Sequence, residues 1–210
     1  MNNWLDLYRK NFKHLLDING SAEKRGLLKD IYNRSRGYEI IFEELLSLKD
    51  FNFKIIETGT VRTPNNWKDG NSGFLFAEFV KIHGGFVRSV DIDQEAVKTA
   101  NTFIDQTYYK SFCSDSVLWL SSLTDLHEID LFYLDSYDVK WKNDKPSAEH
   151  HLKEFKVIEP FLKPGSIVAI DDNAFLSNGQ RTGKGRMIVE YLESKNIFPL
   201  YDEYQIIYKF

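Results

Sequence analysis

The sequence predicts an α/β fold, a mostly parallel sheet flanked by helices, and three observations predict it. Short apolar runs at Phe53–Glu57, Phe86–Asp91, Asp130–Asp135 and Ser166–Asp171 each end in a carboxylate. Segments of helical length separate them, near 74–83, 94–105, 115–123 and 147–162. Strands alternating with helices in this way build a parallel sheet with helices on both faces. Ligands of such sheets bind outside the carboxyl ends of the strands. The recurring strand-end acids therefore point to a cleft that holds a cationic, hydroxyl-rich or metal-bound ligand.

Residues 1–50 precede this pattern and read as an N-terminal helical cap. Trp4, Leu5, Tyr8, Phe12 and Leu15 recur at helical spacing. Ser21 precedes Lys24 and a second run through Leu27, Leu28 and Ile31, and Tyr38, Ile41, Phe42, Leu45 and Leu46 form a third apolar face. These helices have no place within a sheet, so they cover the cleft or form the surface of a homodimer. Residues 51–210 form the second unit. A further strand is expected at 109–113, and Pro164-Gly165 is a turn that feeds the strand after it. Gly183 to Lys195 reads as a last crossover helix, and Phe198–Tyr201 with Gln205–Phe210 as a closing hairpin.

A chain of 210 residues buries a sizeable core as one domain with an appended part. The apolar share of 42% and charged share of 28% are ordinary for a globular protein. A net charge of -4 argues against a general nucleic-acid binder, which needs a basic footprint. The single cysteine excludes an internal disulfide and a cysteine-based zinc site and fits a reducing compartment. Cys113 itself is expected to be a buried strand residue rather than a nucleophile. No apolar run is long enough to cross a bilayer, and Met1–Asp6 lacks a signal-peptide pattern, so a cytoplasmic location without membrane partners is expected.

The loop after the first strand is informative for what it rejects. A dinucleotide fingerprint needs three closely spaced glycines, and Gly59 stands alone before Thr60-Val61-Arg62. Walker-type spacing is missing. Glu57 at the strand end repels phosphate and suits an ammonium or a sulfonium. An NAD-dependent oxidoreductase is thereby disfavoured. The polar stretch Thr63–Gly73 is either a flap over the cleft or a surface insertion.

The order of these motifs resembles the class I S-adenosylmethionine-dependent methyltransferases, from about residue 50 to the end. The resemblance implies a Rossmann-like, mostly parallel seven-stranded sheet, with the closing hairpin completing it. Glu57-Thr58-Gly59-Thr60 looks like the first motif, which faces the methionine part of the cofactor. Asp91 matches the acid that accepts from both ribose hydroxyls, and Ile92 would lie against the adenine. Asp91 is alternatively a helix N-cap, a role that Asp93 serves better. Asp115 and Ser116, in Ser114-Asp115-Ser116, resemble the motif that contacts the adenine amino group. Asp135 matches the motif beside the reacting methyl.

Asp135, Asp171 and Asp172, followed by Asn173, resemble the metal-dependent O-methyltransferases of the catechol and macrolide-sugar types. That resemblance implies that the three acids hold Mg²⁺ or another hard divalent cation, which binds the acceptor oxygen and lowers its pKa. The alternative is that Asp171 and Asp172 cap a loop or pair with Arg181, Lys184 or Arg186. His150 and His151 open a helix, and one of them, His150 in first place, is a candidate general base. Tyr137 and Trp141 either wall an acceptor site or pack internally. The basic run Gly179–Arg186 is a solvated loop or a site for an anionic tail. The expected function is methyl transfer from S-adenosylmethionine to a hydroxyl of a small molecule. The rival is an S-adenosylmethionine-binding interaction module without turnover.

Overall fold

A computed structural model describes residues 4–17, 27 and 34–210. Nine strands and seven α-helices are found among these residues. Trp4–Asn11 (α1) and Ser35–Leu48 (α2) come first. The second helical run expected from Ser21 to Ile31 lies outside the described residues, apart from Leu27, which makes an antiparallel bridge with Leu176. Then follow Phe53–Thr58 (β1), Ser72–His83 (α3), Gly85–Asp91 (β2), Gln94–Phe103 (α4) and Tyr109–Cys113 (β3). Ser116–Ser122 (α5), Leu131–Leu134 (β4), Lys145–Ile158 (α6) and Ile167–Ile170 (β5) complete the alternating part. Asn173–Phe175 (β6), Arg181–Gly183 (β7), Arg186–Glu193 (α7), Tyr201–Asp202 (β8) and Ile206–Lys209 (β9) close the chain.

The main sheet has seven strands in the order β3-β2-β1-β4-β5-β9-β8. Strands β1 to β5 run parallel, and β9 lies antiparallel to β5 and β8. The strand order reverses between β1 and β4, which places the switch point of the sheet at Thr58 and Leu134.

Both faces of the sheet are covered, so the central strands are apolar throughout rather than alternating. On one face Ile55, Tyr133 and Ala169 join Phe42, Phe76 and Phe79 in a core rich in aromatic rings. Trp4 of α1 packs edge-on against Phe42 and Phe79, with ring centroids 5.1 and 5.9 Å apart. The N-terminal helices thus share one core with the sheet. On the other face Ile56, Phe132, Leu134 and Val168 meet Phe155, Ile158, Ile188 and Leu192 of α6 and α7.

Two expectations are corrected here. The basic run at 179–186 is not a free loop: Arg181–Gly183 pairs with Asn173–Phe175 in a second, two-stranded sheet. Cys113 is exposed rather than buried, because β3 is the edge strand of the main sheet. No described helix is long and apolar enough to cross a membrane.

Candidate functional site

The carboxyl ends of the strands open into a cavity of about 700 Å³. That volume is within the range of sites for small ligands and cofactors. Gly59 forms its floor. The Gly59 backbone has φ +87°, its N–H donates to the Val90 carbonyl at 2.8 Å, and a Cβ there would stand 2.6 Å from the Asp135 carbonyl oxygen. The loops after β1 and β4 touch at this point, and only glycine permits it. The lone glycine of the first motif is accounted for by this contact.

Glu57 and Thr58 lie behind the cavity wall rather than on it. Glu57 is 1% exposed and accepts a hydrogen bond from the Ser72 hydroxyl through Oε1, while Oε2 has no partner. Gly73 makes room for it: a Cβ there would come within 2.8 Å of Glu57 Oε2. Burial pushes the Glu57 carboxyl up to about 7, with Ser72 opposing the rise and Asp91 adding to it. The Thr58 hydroxyl donates to Glu154 Oε2 at 3.1 Å. The Thr58 hydroxyl is thus turned into the α6 side of the sheet, away from the cavity.

Asp91 and Ile92 line the cavity. Asp91 Oδ1 accepts from the Asp93 N–H at 2.9 Å. Asp93, not Asp91, caps α4, accepting from the Glu95 and Ala96 N–H groups. Ile92 is 76% exposed, an apolar side chain turned out into the opening. Asp115 caps α5 through the Leu118 N–H at 3.0 Å, and the Ser116 hydroxyl lies 2.8 Å from His150 Nε2. Asp115, Ser116 and His150 all border the same cavity.

The two adjacent histidines are separated by the helix. His151 is fully buried, with Nδ1 donating to the Ser147 carbonyl at 2.8 Å, and burial lowers it to about 4. His150 faces the cavity, its ring 5.5 Å from that of Tyr137, and its hydrogen bond to Glu154 raises its pKa.

Asp135, Asp171 and Asp172 are brought together, as the sequence suggests, but with two side-chain cations among them. Lys184 Nζ is 2.5 Å from Asp135 Oδ1 and 2.9 Å from Asp172 Oδ2. Arg34 Nε is 2.7 Å from Asp171 Oδ2, and Arg34 Nη2 is 3.2 Å from Asp172 Oδ1. Tyr204 donates its hydroxyl proton to Asp172 Oδ1, and the Arg34 guanidinium lies 4.6 Å from the centre of the Tyr204 ring. Burial pushes all three carboxyls up. Lys184 and Arg34 override it at Asp172, which is held below the usual carboxylate range, whereas Asp135 and Asp171 stay raised. The expected metal site is not supported by this arrangement. Among the described residues no group of three or more acids, histidines or cysteines is placed to hold a metal ion, and Lys184 and Arg34 occupy Asp135 Oδ1, Asp171 Oδ2 and both oxygens of Asp172.

A tight backbone keeps this cluster in place. Asp172 has φ +55°, and a Cβ on Gly183 would come within 2.3 Å of its carbonyl oxygen. The Lys184 N–H donates to that same carbonyl at 3.1 Å. The neighbouring cations of the basic run are engaged elsewhere: Arg181 pairs with Asp202, and Arg186 with Asp144. Arg34 and Tyr204 were not predicted from the sequence, since neither lies in a motif.

The stretch between β1 and α3 walls the cavity with Thr60, Arg62, Lys68 and Asn71, so it is no mere surface insertion. Arg62 pairs with Asp138 at 3.0 Å. Asn71 is 4% exposed, and neither polar atom of its amide has a partner. Tyr137 and Trp141 border the cavity as well.

No family model matches the chain, and no curated protein sequence matches it. Solved structures do. The calicheamicin methyltransferase CalS11 superposes with a TM-score of 0.53 at 13% identity, over 83% of this chain and 77% of that one. Its apo structure, described as a TDP-rhamnose 3'-O-methyltransferase, gives a TM-score of 0.54 at 14% identity, over 83% and 78%. The human methyltransferase 10 domain containing protein gives 0.54 at 11% identity, over 98% of each chain. At these identities the likeness is one of architecture. Together with the strand order, it shows that this chain has the Rossmann-like fold of the S-adenosylmethionine-dependent methyltransferases.

Proposed function

We propose that the protein transfers a methyl group from S-adenosylmethionine to a hydroxyl of a small acceptor. One observation carries the reading: a single cavity joins Asp91 and Ile92 at one side to the Asp135–Lys184–Asp172 cluster at the other. The donor side fits the cofactor's chemistry. Asp91 offers carboxylate oxygens to a ribose diol, and two donors meeting two acceptors is an apt pairing. Ile92 offers an apolar surface to a base, and Asp115 and Ser116 stand next to it. Gly59 lets the loops after β1 and β4 close together at the edge of this cavity. Glu57 lies behind Ser72, which itself borders the cavity, and holds that hydroxyl in place.

The cofactor supplies an electrophilic methyl group. The chain's own residues do the rest by orientation and by excluding water. Asp135 is the candidate proton acceptor for the hydroxyl: Oδ1 is fixed by Lys184, and Oδ2 has no hydrogen bond among the described residues. Tyr137 and Trp141 form apolar walls on the acceptor side. His150, joined to Ser116, belongs to the Asp115 side of the cavity and not to the acid cluster. A role in orienting the cofactor suits it better than the general-base role expected from the sequence. No metal step enters this mechanism, since the carboxylates do not fit a metal ion while Arg34 and Lys184 hold them.

The sugar hydroxyl named for the calicheamicin enzyme supports a hydroxylated acceptor. The test has two stages. S-Adenosylmethionine and S-adenosylhomocysteine should raise the melting temperature, while NAD and ATP should leave it unchanged. Phenols, catechols and sugars are then screened for transfer of labelled methyl. Absence of any cofactor shift would remove the basis of the reading. A shift with no transfer to any hydroxylated acceptor would favour a binding module instead.

A further inference from the structure

Lys184 is 2% exposed in its side chain, and Nζ meets three oxygens: Asp135 Oδ1 at 2.5 Å, Asp172 Oδ2 at 2.9 Å and the Asp135 carbonyl at 3.2 Å. An ammonium has three N–H donors, so these contacts saturate it. Arg34, 4% exposed, covers Asp171 Oδ2 and Asp172 Oδ1 and donates to the Lys68 carbonyl at 2.9 Å. Each cation reaches two of the carboxylates. Three acids in a nearly closed cluster repel one another strongly, and burial favours their neutral forms. Two tethered cations offset that repulsion without help from solution, most fully at Asp172. The backbone supports the arrangement, because Lys184 follows the Gly183 that packs on the Asp172 carbonyl. Lys184 is therefore fixed at its main chain as well as at its tip.

A hard divalent ion asks for the same things: two carboxylates and a carbonyl oxygen, with water completing the shell. The oxygens around Nζ form such a set. We infer that the Lys184 ammonium is the resident cation of this site, standing where a divalent ion would otherwise bind between Asp135 and Asp172. It fixes Asp135 against β7 and excludes metal from the wild-type protein. Lys184 is a positioning residue in this scheme, acting through Asp135 and Asp172. The inference concerns the cluster itself and stands whichever acceptor the protein methylates.

The experiment is a titration of the full chain with Mn²⁺ alone, followed by electron paramagnetic resonance of the free ion. Wild type should show no saturable site up to about 1 mM, the range of weak protein sites for hard cations. Lys184→Ala should gain one Mn²⁺ site at least about tenfold tighter than any wild-type binding, since it leaves the same oxygens without their counter-charge. Adding Asp172→Asn to that variant should remove the new site, and Lys184→Arg should not create one. A saturable site in wild type that is lost in Asp172→Asn would overturn the inference, and this measurement needs no lysine variant. So would a folded Lys184→Ala, checked by circular dichroism, that gains nothing. Lys184→Ser repeats the arm if the alanine variant does not fold.

Discussion

Glu57→Gln should stabilise the protein at neutral and alkaline pH and do little in acid. The native carboxyl is raised from its ordinary value of 4.5 to about 7 by burial, and Oε2 has no partner. An acid whose native pKa is raised binds more protons in the folded than in the unfolded state between those two values. Stability therefore falls as pH rises from 4.5 towards about 7, and is level beyond it. At about 1.36 kcal/mol for each pH unit, the ionised form costs the fold about 3 kcal/mol above neutrality. Glutamine is nearly isosteric, keeps an oxygen for the Ser72 hydroxyl and carries no charge. The assay is urea unfolding of both proteins between about pH 5 and about pH 8. The gap should widen with pH to about 1–3 kcal/mol, the lower figure allowing for the altered hydrogen bond. His151 contributes with the opposite slope, so the difference between variant and wild type is the quantity to follow. A gap that stays constant over the whole range would refute the reasoning.

Asp91→Ala should weaken S-adenosylmethionine binding by about tenfold to a hundredfold, as expected for roughly 1.5–3 kcal/mol of lost charged hydrogen bonding; calorimetry giving equal affinities would reject the ribose assignment. Phe42→Ala should cost about 3–5 kcal/mol in urea unfolding, since its buried ring joins Trp4 to Phe79 and the sheet face. A cost below about 1 kcal/mol would mean that the N-terminal helices are docked only loosely. His151, lowered to about 4 by burial, gives stability that is complete above 6.5 and is lost as pH falls towards 4. His151→Gln should flatten that acid limb, and an unchanged limb would place the loss elsewhere.

The five parallel strands were legible because burial on both faces leaves unbroken apolar runs, as in Ile167–Ile170. Their end acids were legible too, and Asp91, Asp115, Asp135 and Asp172 do reach one cavity. Arg34 was not, because its partners lie 137 and 138 residues away and no local pattern announces such a pairing. Strands β6 and β7 have three residues each, too few for alternation to show. The identity of the cavity-facing histidine is carried by helical spacing. Ala148, His151, Phe155 and Ile158 follow helical spacing, which puts His151 on the core face and leaves His150 outside it. The metal reading is unsupported for a different reason. Strand-end acids declare negative charge but not what neutralises it, and here that role falls to side chains of Arg34 and Lys184.

The acid cluster also sets an order of events in folding. Tyr204 and Arg34 meet across 170 residues, at 3.2 Å, and both close on Asp172. Contacts between such distant points form only after the intervening chain has been arranged, because loop closure must come first. During synthesis the Asp91 side of the cavity has its whole sequence emerged long before Tyr204 does. A ribosome stalled before the final hairpin would thus expose a half-built pocket whose acids lack one of their partners. Pulse proteolysis of such arrested chains would show whether Asp172 and its neighbours stay open to solvent until the last strand arrives.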